Sequence, residues 1–150
     1  MRTGISFARD WQLIKVARAL RRHDVTGPLV RGLLHDASPA LAEQVAVIAG
    51  RLGTEDGTAL LAHNEERFDP PTLMEGLLLT WGIPCASKAA TDGGITIIID
   101  GAAAAVRETF ADERVAEPYL TGYVGALQQD AVLERGADGK IMIRFPPRGK

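Results

Sequence analysis

Between Phe7 and Arg22 apolar residues return at intervals of three and four: Phe7, Trp11 and Ile14 on one line, Leu13, Ala17 and Leu20 on another, with arginines opposite. That spacing predicts an amphipathic helix. Gly27 and Pro28 end it and open a short helix reaching His35, because proline suits the first helical turn. Ser38 before Pro39 repeats the device, its hydroxyl placed to accept backbone N–H bonds, and Leu41, Val45, Ile48 and Leu52 then form one stripe. Gly53 reads as a C-terminal stop. Residues 54–65 read as a further short helix, separate from the last or continuous with it. Asp69 caps a helix in which Leu73, Leu77 and Trp81 share a face, and Gly82 and Pro84 close it.

After Pro84 the period changes. The stretches CASKAA and GITIIID read as two strands joined at Asp92-Gly93, a strong hairpin signal, with Ile95, Ile97 and Ile99 on one face. Residues 102–110 predict a helix, and Pro118 opens the next, where Leu120, Val124 and Leu127 make a stripe with Tyr123 beside it. Gly122 and Gly125 in that helix each cost about 1 kcal/mol against alanine, which implies that another backbone comes close; the sheet is the expected neighbour. The segment VLERGADGKIMIRF predicts a second hairpin with Ile141, Ile143 and Phe145 inward and Lys140, Met142 and Arg144 outward. The fold expected is therefore α+β in a single domain, 1–150. A basic helical N-terminal segment, 1–36, precedes a core, 37–146, in which an antiparallel sheet of hairpins carries helices on one side.

Composition narrows the classes. A chain of 150 residues buries roughly two thirds of the surface it exposes when unfolded, enough to fold without a disulfide or metal. Apolar residues at 46% and charged residues at 24% are average for globular proteins and argue against a disordered or fibrous class. Apolar runs fall short of the roughly 18 residues a membrane span requires, and the first residues lack the apolar stretch of a secretory signal. One cysteine, Cys85, forms no internal disulfide. A cytoplasmic location is expected, with no membrane partner. The net charge of −2 hides an asymmetry: residues 1–35 hold seven Lys/Arg against two Asp/Glu, and the remainder ten against seventeen.

Most familiar chemistry is missing from the pattern. Three histidines, His23, His35 and His63, stand far apart, so no zinc-ligand spacing exists and no metal site is expected. Neither a Walker nor a dinucleotide fingerprint is present, nor a G-x-S-x-G elbow. Adjacent carboxylates, Glu65-Glu66 and Asp112-Glu113, diverge by about 100° on a helix and suit solvation rather than acid–base work. A helix-turn-helix around Gly53 would aim Glu55, Asp56, Glu65 and Glu66 at phosphates, so nucleic acid is not an expected partner.

The segment YLTGYVGAL followed by two short strands around a Gly-containing turn resembles the end of the 4-vinyl reductase type small-molecule-binding domain family. Upstream, AEQVAVIAGRLGTEDGTALLA, LMEGLLLTWGI and GITIIIDGAAAAVRE are similar to that family's succession of elements, so the resemblance spans about residues 40–146. It implies an α+β domain, often dimeric, with a pocket for a small apolar or tetrapyrrole-like molecule and a sensing or accessory role. Where members commonly carry metal-holding cysteines this chain reads Glu134-Arg135-Gly136 and Gly101-Ala102-Ala103, so a metal role does not carry over.

The resulting expectation is a non-catalytic small-molecule-binding or sensory domain, a homodimer, with an apolar pocket between sheet and helices. Trp81, Ile83, Cys85, Phe110, Tyr119 and Tyr123 are its candidate walls, since aromatic rings at element ends give rigid apolar surface and the tyrosines add a polar handle. The ligand is a small apolar molecule of unassigned identity, and no cofactor is read from the sequence. Two alternatives stand beside it: an interaction module that docks through the basic N-terminal helix, and an enzyme whose nucleophile is Cys85.

Overall fold

Each helix whose cap is seen begins where the sequence supplies an oxygen for its unpaired amides. The computed structural model describes residues 26–65, 67–101 and 104–147; the helix expected over Phe7 to Arg22 and the end of the FPPRGK tail lie outside them. Helix α1 is Thr26–His35, α2 Pro39–Ala62 and α3 Pro70–Thr80. The Ser38 hydroxyl accepts from the Leu41 amide at 3.3 Å and the Asp69 carboxylate from the Thr72 amide at 2.9 Å, each followed by proline at the start of its helix. Strands β1, Cys85–Ala89, and β2, Ile95–Asp100, lead to α4, Ala104–Phe110, and α5, Glu113–Leu127; β3, Val132–Arg135, and β4, Lys140–Phe145, end the core.

The four strands form one antiparallel sheet in the order β1-β2-β4-β3. Asp92 and Gly93 turn the first hairpin: the Asp92 carboxylate accepts from the Gly94 amide at 2.9 Å, and Gly93 takes a left-handed φ of 85° that glycine alone adopts without strain. In the central pair Ile97 faces Ile143 and Ile99 faces Ile141. Their buried side of the sheet meets Met74 and Leu78 of α3, Val106 of α4 and Leu120, Val124 and Leu127 of α5. This is the α+β arrangement with helices on one side of a sheet.

Four details differ from the sequence reading. Gly53 does not stop a helix: α2 runs 24 residues through it, because Gly53 stands where α5 crosses rather than at an end. Pro118 lies inside α5; the helix starts earlier because the Asp112 carboxylate accepts from the Arg114 amide at 2.8 Å. Beyond the buried prolines of its first turn, Pro70 and Pro71, the buried positions of α3 are Met74 and Leu78, with Leu73, Leu77 and Trp81 packed partly buried beside them. The stripe Leu41, Val45, Ile48 and Leu52 is not core: three of its four members are exposed.

Glycine decides what α2 packs against. A β-carbon on Gly53 would overlap the Tyr119 carbonyl oxygen, and one on Gly57 would stand 2.7 Å from the Tyr123 carbonyl oxygen. From the other side, a β-carbon on Gly122 would overlap the Gly50 carbonyl oxygen. Thr54 Oγ1 donates to the Gly50 carbonyl at 3.0 Å and lies 3.4 Å from that of Gly122. The close neighbour of the α5 glycine is thus α2, not the sheet. Gly125 has open space around it. Gly53→Ala and Gly122→Ala are expected to cost about 3 kcal/mol or more, since backbone on both sides leaves no flexible atom to yield. Gly125→Ala is expected to stabilise by up to about 1 kcal/mol. Urea unfolding of the three variants measures the contrast.

Candidate functional site

The end of α3 is a Schellman turn. Gly82, with φ of 69°, donates to the Leu79 carbonyl at 3.0 Å, and Ile83 donates to the Leu78 carbonyl at 2.8 Å. This closure fixes Trp81 as the cap residue and drives Ile83 into the core beside Leu78. A second corner lies between α4 and α5. There Ala111 takes a left-handed φ of 65°, a conformation that strains any residue with a β-carbon. Arg114 holds this corner: it pairs with Asp112 through two hydrogen bonds of 2.9 Å, and its Nη1 donates to the Leu34 carbonyl at 2.8 Å. The last turn of α1 is thereby tied to the start of α5.

Phe110 at the end of α4, Trp81, and Tyr119 and Tyr123 one turn apart on α5 form one aromatic cluster. Trp81 meets Phe110 edge to face, with centroids 5.4 Å apart and planes at 88°, and Tyr119 lies 5.9 Å from Trp81 and 5.5 Å from Phe110. Tyr123 stacks on Tyr119 at 6.1 Å. Such offset and edge-on pairs are each worth about 0.5–1.5 kcal/mol beyond their buried area. Four of the six sequence-predicted wall residues therefore come together.

Beside this cluster a groove of about 510 Å³ opens between α1, α2, α4 and the beginning of α5. Trp81, Phe110 and Tyr119 form its inner wall, and Val30, Leu34, Ile48 and Leu52 are among its apolar sides. The other three predicted residues do not line it. Tyr123, 2% exposed, and Ile83, 1% exposed, belong to the core, and Cys85 is half-buried at the start of β1. The expected location between sheet and helices is corrected accordingly: isoleucines and leucines fill that space, and the groove's lining holds no strand residue.

Asp56 is the residue that sequence reasoning missed. Tyr119 donates its hydroxyl proton to the Asp56 carboxylate at 2.6 Å, which joins α2 to the inner wall of the groove. The available signal was its place between Gly53 and Gly57, on the helix that comes closest to the tyrosines. Burial, then the Asp56 hydrogen bond and charge, push the Tyr119 phenol far above its usual value. Burial and then the Asp56 charge push Tyr123 up to about 12. At Cys85, burial and then the Glu75 carboxylate raise the thiol, which disfavours the thiolate that a nucleophile needs and weighs against that role for Cys85. The described residues hold no cluster of three metal-ligating side chains, and none of their helices is long and apolar enough to cross a membrane.

Tyr119 and Tyr123 are the chain's two tyrosines, so alkaline titration reads this site directly. An unfolded tyrosine ionises at about pH 10. Because both folded values are raised, the protonated phenols stabilise the fold fully below that pH, and the contribution is lost as pH climbs towards about 12. Absorbance at 295 nm is expected to show little tyrosinate at about pH 10.5 while far-UV circular dichroism is intact, with ionisation appearing together with unfolding. Tyr119→Phe should flatten the decline in Tm across that window; a native titration midpoint near 10 would contradict the geometry. Compared with family models, with curated proteins and with solved structures, the chain matches none.

Proposed function

We propose that this chain is a cytoplasmic, non-catalytic small-molecule-binding domain whose ligand, a small and largely apolar molecule with a planar part, lies in the groove against Trp81, Phe110 and Tyr119. The aromatic wall carries this reading. Three rings from three separate elements converge on one open space, and a volume of about 510 Å³ falls within the roughly 300–1,000 Å³ of ligand sites. Apolar sides with a few fixed polar groups are what such a site requires, and the Tyr119–Asp56 pair supplies a polar feature of fixed position. The resemblance to the 4-vinyl reductase type family points the same way.

Native mass spectrometry of the chain purified from its own host tests the reading, with an excess mass over the denatured chain as the expected result. 8-Anilinonaphthalene-1-sulfonate serves as a general apolar probe. Trp81→Ala should weaken its binding tenfold or more, about 1.4 kcal/mol per decade, with circular dichroism unchanged because Trp81 is only partly buried. Tyr123→Ala should instead destabilise the chain by about 3–5 kcal/mol, as loss of a buried aromatic ring does. Unaltered probe binding in folded Trp81→Ala would remove the groove from consideration. The homodimer implied by the resemblance is a separate part of the proposal; sedimentation that gives a monomer at every concentration would remove it.

A further inference from the structure

Strand β1 is an edge of the sheet, and its outer side is open. It pairs only with β2, and four of its five residues are exposed. The hairpin decides which of its backbone groups are left over. The Ala90 amide donates to the Gly94 carbonyl at 2.8 Å, so these two form a hydrogen-bonded pair, and an antiparallel ladder has such a pair at every second residue. Ala86 and Lys88 therefore bond to Ile98 and Thr96 of β2, while Cys85, Ser87 and Ala89 turn their N–H and C=O outward, where no described residue meets them. Helix α3 overhangs the same edge. The Ser87 hydroxyl donates to the Glu75 carboxylate, which places the Glu75 flank of α3 over β1. Thr72 and Leu79, at i−3 and i+4 from Glu75, share that flank. Leu79 is 72% exposed, the most of any large apolar residue described, and a β-carbon on the neighbouring Gly76 would meet nothing.

We infer that β1 pairs with β1 of a second copy of this chain, antiparallel about a two-fold axis at Ser87, and so joins two four-stranded sheets into one. The inference rests on the homodimer part of the function proposed above and on nothing in the groove. Register selects this occupant. With Ser87 on the axis, Cys85 stands opposite Ala89 of the partner subunit and Ala89 opposite its Cys85, so every outward residue enters a hydrogen-bonded pair that exchanges two backbone bonds. The side chains at the seam are small. Cys85, Ser87 and Ala89 point towards the helices, and on the other face Lys88 stands opposite alanine, Ala86, instead of a second lysine. The helices fit as well. Because α3 packs on both β1 and β2, and strands are about 4.8 Å apart, it lies about 5 Å from the axis. Two copies of α3 then run about 10 Å apart, a distance at which helices pack, and Leu79 is buried against Thr72 of the partner subunit beside Gly76. The far edge offers less. In β3 the Gly136 amide donates to the Lys140 carbonyl at 2.8 Å, so by the same alternation only Leu133 and Arg135 face outward, and Glu113 and Glu117 of α5 hold the Arg135 side chain. A β1 edge paired with its own copy is used up on both chains, so association closes at the dimer.

Amide hydrogen exchange of the full chain, resolved to single residues by electron-transfer fragmentation, tests the pairing at concentrations where sedimentation gives monomer and where it gives dimer. The amides of Cys85, Ser87 and Ala89 are expected to exchange at least tenfold more slowly in the dimer, while those of Ala86 and Lys88, bonded to β2 in both states, change little. Ser87→Pro removes an outward donor and no bond of the β1–β2 ladder; it should weaken the dimer tenfold or more with circular dichroism unchanged. Leu79→Glu, on the helix and away from the strand, should do the same. A monomer at every concentration overturns this inference together with the homodimer proposed above. A dimer whose Ser87 amide exchanges as fast as in the monomer, or one that neither substitution weakens, overturns this inference alone and puts the contact on another surface, such as the apolar rim of the groove at Leu33, Ile48 and Leu52. Slow exchange at Ser87 already in the monomer would mean that the edge is covered within the chain, which overturns it too.

Discussion

The approach of α2 to α5 sets the rest of the molecule. Gly50, Gly53 and Gly57 on one helix and Gly122 on the other remove the side chains that would otherwise hold the axes apart, so backbone meets backbone along the seam. Dispersion contacts made this way are individually small and collectively large, and they offset the helix-propensity cost that each glycine carries. The seam also carries chemistry. It runs past the Tyr119 and Tyr123 carbonyls, and with α2 drawn in this far Asp56 reaches the Tyr119 hydroxyl. A wider helix pair would lose the hydrogen bond together with the contact.

From that seam the groove follows. With its glycine face turned to α5, α2 must present its larger apolar stripe elsewhere, and Val45, Ile48 and Leu52 become one side of an open space. The opposite side is set by two corners, the Schellman turn that fixes Trp81 and the left-handed Ala111 that separates Phe110 from α5. A β-carbon at positive φ is held only where its surroundings over-determine it. Here those surroundings are the Asp112–Arg114 pair and the bond from Arg114 to the end of α1. Rigid backbone thus positions the aromatic wall, which lowers the ordering cost a ligand would otherwise meet.

The sheet, its hairpins and the caps were legible because each rests on a local rule. Alternation placed Ile97, Ile99, Ile141, Ile143 and Phe145 inward, Asp92-Gly93 turned the first hairpin, and Ser38 and Asp69 began their helices. The α2 helix misled because local rules there oppose the tertiary outcome. A large apolar stripe ordinarily marks the buried face, yet the glycine face is the buried one, and only a second helix of matching glycine explains it. Four aromatic candidates, Trp81, Phe110, Tyr119 and Tyr123, were found from their places near element ends and meet in one cluster, three of them on the groove. Sequence did not separate those three from Ile83 and Tyr123 in the core, because the difference is a rotation about a helix or one position past a cap. Asp56 was hidden for the same reason: its partner lies 63 residues away.

The exposed rim gives the groove a thermodynamic direction. Fully burying a leucine or isoleucine is worth about 1.5–3 kcal/mol, so Leu33, Ile48 and Leu52, each about half exposed, leave a few kcal/mol of apolar burial unrealised. That sum is a sizeable fraction of the roughly 5–15 kcal/mol by which domains are stable. Any group that covers the rim is favoured by it, and two groups that cover different parts are coupled through it. A segment laid over the rim and a molecule against Trp81 would bury opposite sides of the same leucines. If both fit at once, each holds those side chains in place for the other and their affinities rise together. If they overlap, each lowers the affinity of the other by the same factor, because linkage is reciprocal. The sign of that coupling would be set by how deep in the groove a molecule lay against Phe110 and Tyr119.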